Sequence, residues 1–311
     1  FFINGTHFAK YLQTDIYFLL AVFVAAAVLH AKVNINLFFS GIRLALLFMG
    51  VCHFFSFNFT NIYISIFAPI TVLMMFLSII SYDNDNLINK IHGLTAFMCG
   101  VIITIDSSIR VSWAVFIVLA IVISFIMFKK ILVNKLLLLI SLLFLSVFIS
   151  FISNINTINN KISNAYNEIF LWSSGETLDT SVGLRLEMYK SGMEAFKEKP
   201  FFGHGYLNGT KEVSKYADQR VKNKIEKFAQ LHSEYISTIV EKGLFGLLSL
   251  GMLLLSPALI IIRNYCKDDI YIRIGIVTSI SFILFGVFNS SFGDTSVKAL
   301  YICLLYTSPS P

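Results

Sequence analysis

The chain has 311 residues, 56% of them hydrophobic and only 14% charged. A soluble domain carries roughly 25% charged residues, so this composition expects lipid rather than water as the main solvent. The net charge of +6 is not gathered into a basic stripe interleaved with exposed aromatics, so it gives no support to a nucleic-acid partner; the four cysteines lie in or beside apolar runs, which disfavours a disulfide framework and a Cys-rich metal site.

Apolar windows long enough to cross about 30 Å of hydrocarbon recur at about 16–31, 37–56, 62–80, 91–109, 111–128 and 133–152. Their very short connections, such as the polar Asp83-Asn-Asp-Asn86, predict antiparallel neighbours, and Pro69 predicts a kink within its span. Arg43 falls inside the second window, where an ionisable residue is expensive and a functional candidate by default. It lies about two turns from its helix end, so snorkelling to the interface is the plainer reading. Asp106 and Arg110 stand between the fourth and fifth windows. Arg110 is read either as an interfacial anchor paired with Asp106 at i+4 or as a cation facing an anionic headgroup substrate.

A long polar stretch follows, from about Ser153 to Lys242, and then two more windows at about 243–262 and 272–292, the first containing Pro257. A ninth begins near Lys298. Taking alternate connections, one side of the membrane holds Lys32, Lys90, Lys129, Lys130, Lys135, Arg263, Lys267 and Arg273; the other holds Lys10, Arg110 and Lys298 outside the long loop. The positive-inside rule makes the first side cytoplasmic and turns the loop outward. The chain opens on Phe1 without a Met, and Tyr306–Pro311 breaks off a hydrophobic run, so it is read as a piece of a longer polytopic protein with 306–311 as a non-native tail. The expected fold is an all-α, polytopic transmembrane helix bundle with a large, partly helical extracytoplasmic (periplasmic) loop. Residues 1–152 carry the first spans, 153–242 the outer loop, and 243–305 the last spans.

Within the loop, the Asn-rich segment 154–167 has no clear structural signature. A helix is readable from Ser181, capped by Asp179, Thr180 or Ser181, with Leu186, Tyr189, Met193 and Phe196 on one apolar face. Pro200 stops it, and Gly203-His204-Gly205 predicts a tight turn. Lys211–Lys227 reads as a second, surface helix. A third begins near Leu231 and runs into the span at Gly243, with His232, Tyr235 and Ile239 sharing a face and Glu241 near the membrane.

Several chemistries are unsupported. His204 and His232 are 28 residues apart without a ligand partner at metal spacing, and no HExxH is present. Gly203-x-Gly205 follows no strand, so it is not a dinucleotide loop. Neither a Walker A sequence nor a GxSxG elbow occurs. What remains is histidine with arginines outside a membrane. That set suits transfer of a group from a lipid-linked pyrophosphate to a hydroxyl: His takes the proton, and Arg holds phosphate oxygens and the charge on the leaving pyrophosphate. From composition alone, a loop histidine is more often a solvated or hydrogen-bonded surface residue.

The order Arg185, Pro200-x-x-Gly203-x-Gly205, His232-Ser233, Glu241-x-Gly243-x-x-Gly246, leading into a span, resembles the O-antigen ligase and O-antigen polymerase superfamily. Ser233 stands where the family has Asn. Ser107-Ser108-Ile109-Arg110 resembles the family's Ser-Arg mouth with one residue inserted. The resemblance implies a bacterial inner-membrane glycosyltransferase whose donor is an undecaprenyl-pyrophosphate-linked glycan. Its acceptor would be a hydroxyl on lipid A-core, a growing glycan or a protein. It further implies His232 as the base, Arg185 and Arg110 as pyrophosphate ligands, and no metal or nucleotide cofactor. Glu241 either binds or orients at the site, or caps the helix junction. Gly243 and Gly246 are expected to permit close helix packing, and His204 to be structural or solvated. The competing readings are a secondary transporter or flippase of the same pathway, which shows no paired broken helices here, and a non-catalytic assembly subunit.

Overall fold

The computed structural model describes residues 35–54, 60–80, 87–106, 110–126, 156–263 and 270–290, with isolated positions from 292 to 304. The expected spans at 16–31 and 133–152, the turn at 83–86, Ser107 and Ser108, Lys298 and the tail 306–311 lie outside the described residues. Among the described residues there are ten α-helices and no strand. They are α1 Ile35–Phe54, α2 Thr60–Ile80, α3 Leu87–Asp106, α4 Arg110–Ile126, α5 Asn156–Ser173, α6 Ser181–Glu198, α7 Gly209–Tyr216, α8 Lys222–Glu226, α9 Glu234–Arg263 and α10 Ile270–Phe288. Two stretches, Asn36–Phe54 and Glu234–Ser256, are long and apolar enough to cross a membrane; α2, α3, α4 and α10 contribute shorter apolar segments. The chain divides into two compact units, 1–123 with 254–285 and 291–311, and 124–253 with 286–290.

In the first unit α1, α2 and α3 pack against one another. Small residues let them approach: a Cβ added at Gly93 would lie 2.9 Å from Ser78 O, and one at Gly100 would lie 3.0 Å from Met75 Cβ. Aromatic contacts tie in α4, with Phe116 5.4 Å from Phe76 between ring centroids and Trp113 Nε1 donating to Thr104 O at 3.1 Å. The polarity runs opposite to that of a soluble domain. Leu37, Leu44, Phe48 and Phe54 of α1 are exposed, while Arg43 is buried. Arg43 does not snorkel: its Nε donates to Ser78 O at 3.1 Å and its guanidinium lies over the Phe39 ring. Arg273 of α10, also buried, reaches Ile80 O at 3.5 Å. Both arginines therefore meet the last carbonyls of α2, which have no intrahelical donor and carry the negative end of the helix dipole.

The second unit has its own core of Leu178, Leu184, Met188, Ala195, Val213, Val221, Ile225, Leu231, Ile239 and Val240. Helix α6 lies at its centre. Thr180 is its N-cap, accepting from Gly183 N at 2.9 Å, while Glu168 accepts from Val182 N at 2.8 Å, so two orphan amides are satisfied. Its buried face differs from the expected one. Gly183, Leu184, Glu187, Met188, Ser191, Gly192 and Ala195 are buried, and Met193 is exposed. Gly192 sets this rotation, because a Cβ there would lie 2.7 Å from Ile236 Cγ2 of α9. The buried Glu187 carboxylate is satisfied by Trp172 Nε1 at 3.3 Å and Asp218 N at 3.1 Å.

Two other local expectations change. The Asn-rich segment is helical, as α5, and its end holds Glu168 and Trp172 against α6. The single helix expected at 211–227 is two, α7 and α8. Ala217 is extended, and Asp218 turns the chain by accepting from Arg220 N at 2.9 Å, the local side-chain competition that disfavours helix interiors.

Candidate functional site

His232 ends the segment that leads into α9. Ser233, next along the chain, is the cap of that helix: its Oγ accepts from Ile236 N at 3.5 Å, its carbonyl accepts from Ser237 N at 3.0 Å, and its hydroxyl donates to Gly286 O at 3.3 Å. The hydroxyl in place of an amide thus retains a donor role. His232 itself is left-handed, with φ 53°, a conformation uncommon outside glycine. It therefore does not continue the α9 face of Tyr235 and Ile239, as the periodicity suggested. Tyr189 Oη holds this backbone, donating to His232 O at 3.1 Å, with Val287 O a second acceptor at 3.3 Å. The Phe228 ring meets the imidazole edge-on, 5.4 Å between centroids. Among the described residues no group hydrogen-bonds either imidazole nitrogen.

Arg185 stands one turn before Tyr189 on α6, so both project from the same helix face. Its charge acts on both neighbours. Burial lowers the His232 pKa below its ordinary 6.5, and the Arg185 cation lowers it further. Burial raises the Tyr189 hydroxyl, with Arg185 partly opposing. The loop's other arginine is engaged: Arg220 forks onto Asp218 and donates to Gly175 O at 2.9 Å. Lys197, Lys215 and Lys224 pair with Glu194, Glu212 and Asp179. Arg185 has no such partner among the described residues. A half-buried histidine beside an unpaired arginine is an arrangement able to accept a proton and hold an anion together.

Glu241 lies elsewhere, in a clasp that joins the turn after α6 to the middle of α9. Gly243 interrupts α9 with φ 64° and ψ −157°, which breaks the ladder of helical hydrogen bonds. The turn 200–205 supplies replacements. His204 N and Gly205 N donate to Val240 O and Glu241 O at 2.8 and 2.9 Å; Pro200 O and Phe201 O accept from Leu244 N and Phe245 N at 2.7 and 3.3 Å. The two backbones run so close that a Cβ at Gly203 would lie 2.6 Å from Glu241 O, and one at Gly243 would lie 2.7 Å from Phe202 N. Gly243 therefore serves a chain break, not helix–helix packing. The Glu241 carboxylate accepts from the amides of Leu207 and Gly209 at the start of α7. His204 is a buried strut, with Nε2 2.7 Å from Ala195 O and Nδ1 3.4 Å from Glu212.

Residues 94–251 match the O-antigen ligase family, just over half of the chain. The chain belongs to the O-antigen ligase family. A 153-residue stretch is also 26% identical to an uncharacterized protein of Haemophilus influenzae, covering 46% of this chain and 37% of that protein. The chain thus spans well under half the length of that relative.

The family match takes in Arg110, Arg185, His204, His232 and Glu241. The structure seats His232 against Tyr189, one turn after Arg185 on α6, and against Phe228, two neighbours that sequence reading did not assign. Tyr189 had a signal in its i+4 spacing from Arg185; Phe228 had none. Arg110 is the first residue of α4, in the other compact unit, with Asp106 at the end of the preceding helix rather than one turn away on the same one.

Proposed function

We propose that this ligase-family chain carries the transfer site of a bacterial inner-membrane glycosyltransferase. Its donor is a glycan linked to undecaprenyl pyrophosphate, and its acceptor is a hydroxyl on lipid A-core, a growing glycan or a protein. In this reading 1–152 and 243–305 hold the membrane spans, and 153–242 is the catalytic loop outside the membrane. The observation that carries it is the seating of His232 on the Arg185 side of α6, where Tyr189, one turn after Arg185, donates to His232 O at 3.1 Å inside the family match.

The step follows from that arrangement. The neutral His232 imidazole takes the proton of the acceptor hydroxyl as its oxygen bonds to the sugar's anomeric carbon. The bond from that carbon to the pyrophosphate oxygen breaks, and the electron pair leaves with undecaprenyl pyrophosphate. Arg185 holds the growing negative charge, with Arg110 proposed as a second cation at the membrane mouth. Burial and the Arg185 charge also favour the neutral imidazole in the resting site, the form a base requires. Glu241 is proposed to support this site at a distance, by fixing α7 against α9, rather than by touching pyrophosphate.

The test is product balance. Purified full-length protein, given an undecaprenyl-pyrophosphate glycan and acceptor, is expected to release one undecaprenyl pyrophosphate for each glycan joined. Movement of intact donor across a vesicle membrane with no pyrophosphate released would support a transporter and overturn this reading.

A further inference from the structure

The turn that clasps α9 carries two large rings on its outer side. Phe201 and Phe202 are exposed, Phe202 at 79%, and both rings lean on the exposed Phe245, with centroids 6.4 and 5.2 Å away. Pro200 O and Phe201 O are bonded to Leu244 N and Phe245 N, so the rings are fixed to the start of the apolar half of α9. That helix continues the same surface downward, since Leu244, Phe245, Leu248 and Met252 are exposed at spacings that place them on one side. At the upper border Lys242 is exposed, with its ammonium 5.5 Å from the centre of the Tyr206 ring.

We propose that Phe201 and Phe202 form a membrane anchor that dips into the outer leaflet at the boundary of headgroups and acyl chains. The occupant is the phospholipid bilayer itself. Three observations select it: the patch is continuous with the exposed apolar side of α9 after Gly243, it is joined to that helix by backbone hydrogen bonds, and Lys242 with Tyr206 borders it as cation and aromatic do at a lipid interface. The anchor holds the turn at a fixed depth, and through the backbone bonds of His204 and Gly205 it holds the end of the outer half of α9 as well. The inference rests on α9 crossing the membrane, as the proposed function requires.

Depth measurement tests it without any activity assay. The full-length protein with its cysteines replaced by alanine is labelled with a nitroxide at Phe202→Cys, at Met252→Cys or at Asn223→Cys, and reconstituted in phosphatidylethanolamine–phosphatidylglycerol vesicles. The ratio of oxygen to nickel-chelate collisions is then read. At Phe202 the ratio is expected to exceed that at exposed Asn223 severalfold and to approach that at Met252. A Phe202 ratio equal to that at Asn223, with Met252 in hydrocarbon, overturns the anchor and leaves the span intact. Met252 in water overturns the span reading and the anchor with it. A Phe202 label that is wet in these vesicles and shielded only after undecaprenyl phosphate is added also overturns the bilayer anchor, assigning the patch to the donor's polyprenyl chain.

Discussion

Arg185 acts on His232 through charge, and the sign of that effect can be measured. Burial first and Arg185 second favour the neutral imidazole, so the folded pKa lies below 6.5. As pH falls through 6.5 the unfolded chain takes up the proton more readily than the folded one, so this group's contribution opposes folding in acid. For transfer, the acid limb of the kcat/KM profile is expected below 6.5. Arg185→Gln should move that limb upward only part of the way, because burial remains, besides weakening turnover; an unmoved limb would show that the two residues are not coupled. Tyr189→Phe removes the hydroxyl that holds the left-handed His232 backbone. One such hydrogen bond is worth about 1 kcal/mol, so kcat should fall roughly fivefold. KM should change little, and an equal rise in KM would assign Tyr189 to substrate binding instead.

At the scale of elements, the glycines of the clasp separate sharply from others. Gly243→Ala would place a methyl group against the Phe201–Phe202 backbone at a positive φ, and Gly203→Ala would do the same against Glu241 and Lys242. The left-handed conformation alone costs roughly 1–2 kcal/mol, before the contact is counted. Gly251 has open space around it, so Gly251→Ala should be neutral or slightly stabilising in the same helix. Thermal unfolding in detergent checks the contrast: the two clasp variants fall well below wild type and Gly251→Ala does not, whereas equal shifts in all three would remove the clasp from the account. The clasp also marks what could be read in advance. Hydrophobic windows located α1 to α4 and α10 within a few residues, because a window reports burial in any apolar surroundings. The turn at Gly203-His204-Gly205 and the stop at Pro200 were legible from local chemistry. The buried face of α6 was not, since Gly192 rotates the helix toward a partner more than forty residues away. Glu241 was equally hidden: the amides its carboxylate accepts from, those of Leu207 and Gly209 at the entry to α7, are delivered only by tertiary folding.

For the whole molecule, orientation and chemistry have to agree. The proposed transfer from an exported lipid-linked glycan requires the loop on the outer side, the orientation that the positive-inside rule leads one to expect. Lys227→Cys, on the exposed surface of that loop, should react with a membrane-impermeant maleimide in intact cells; reaction only after permeabilisation would invert the topology and displace the proposed reaction. The His232–Arg185 pair was readable as two candidates in order, but their juxtaposition depends on the core that packs α6 against the segment before α9. The most direct test is transfer by full-length His232→Ala, purified and shown by gel filtration and thermal unfolding to retain the wild-type fold. Loss of the general base should lower the transfer rate by about 10²–10⁴-fold. Transfer at the wild-type rate would contradict the assignment of His232 as the base on which the proposed reaction turns.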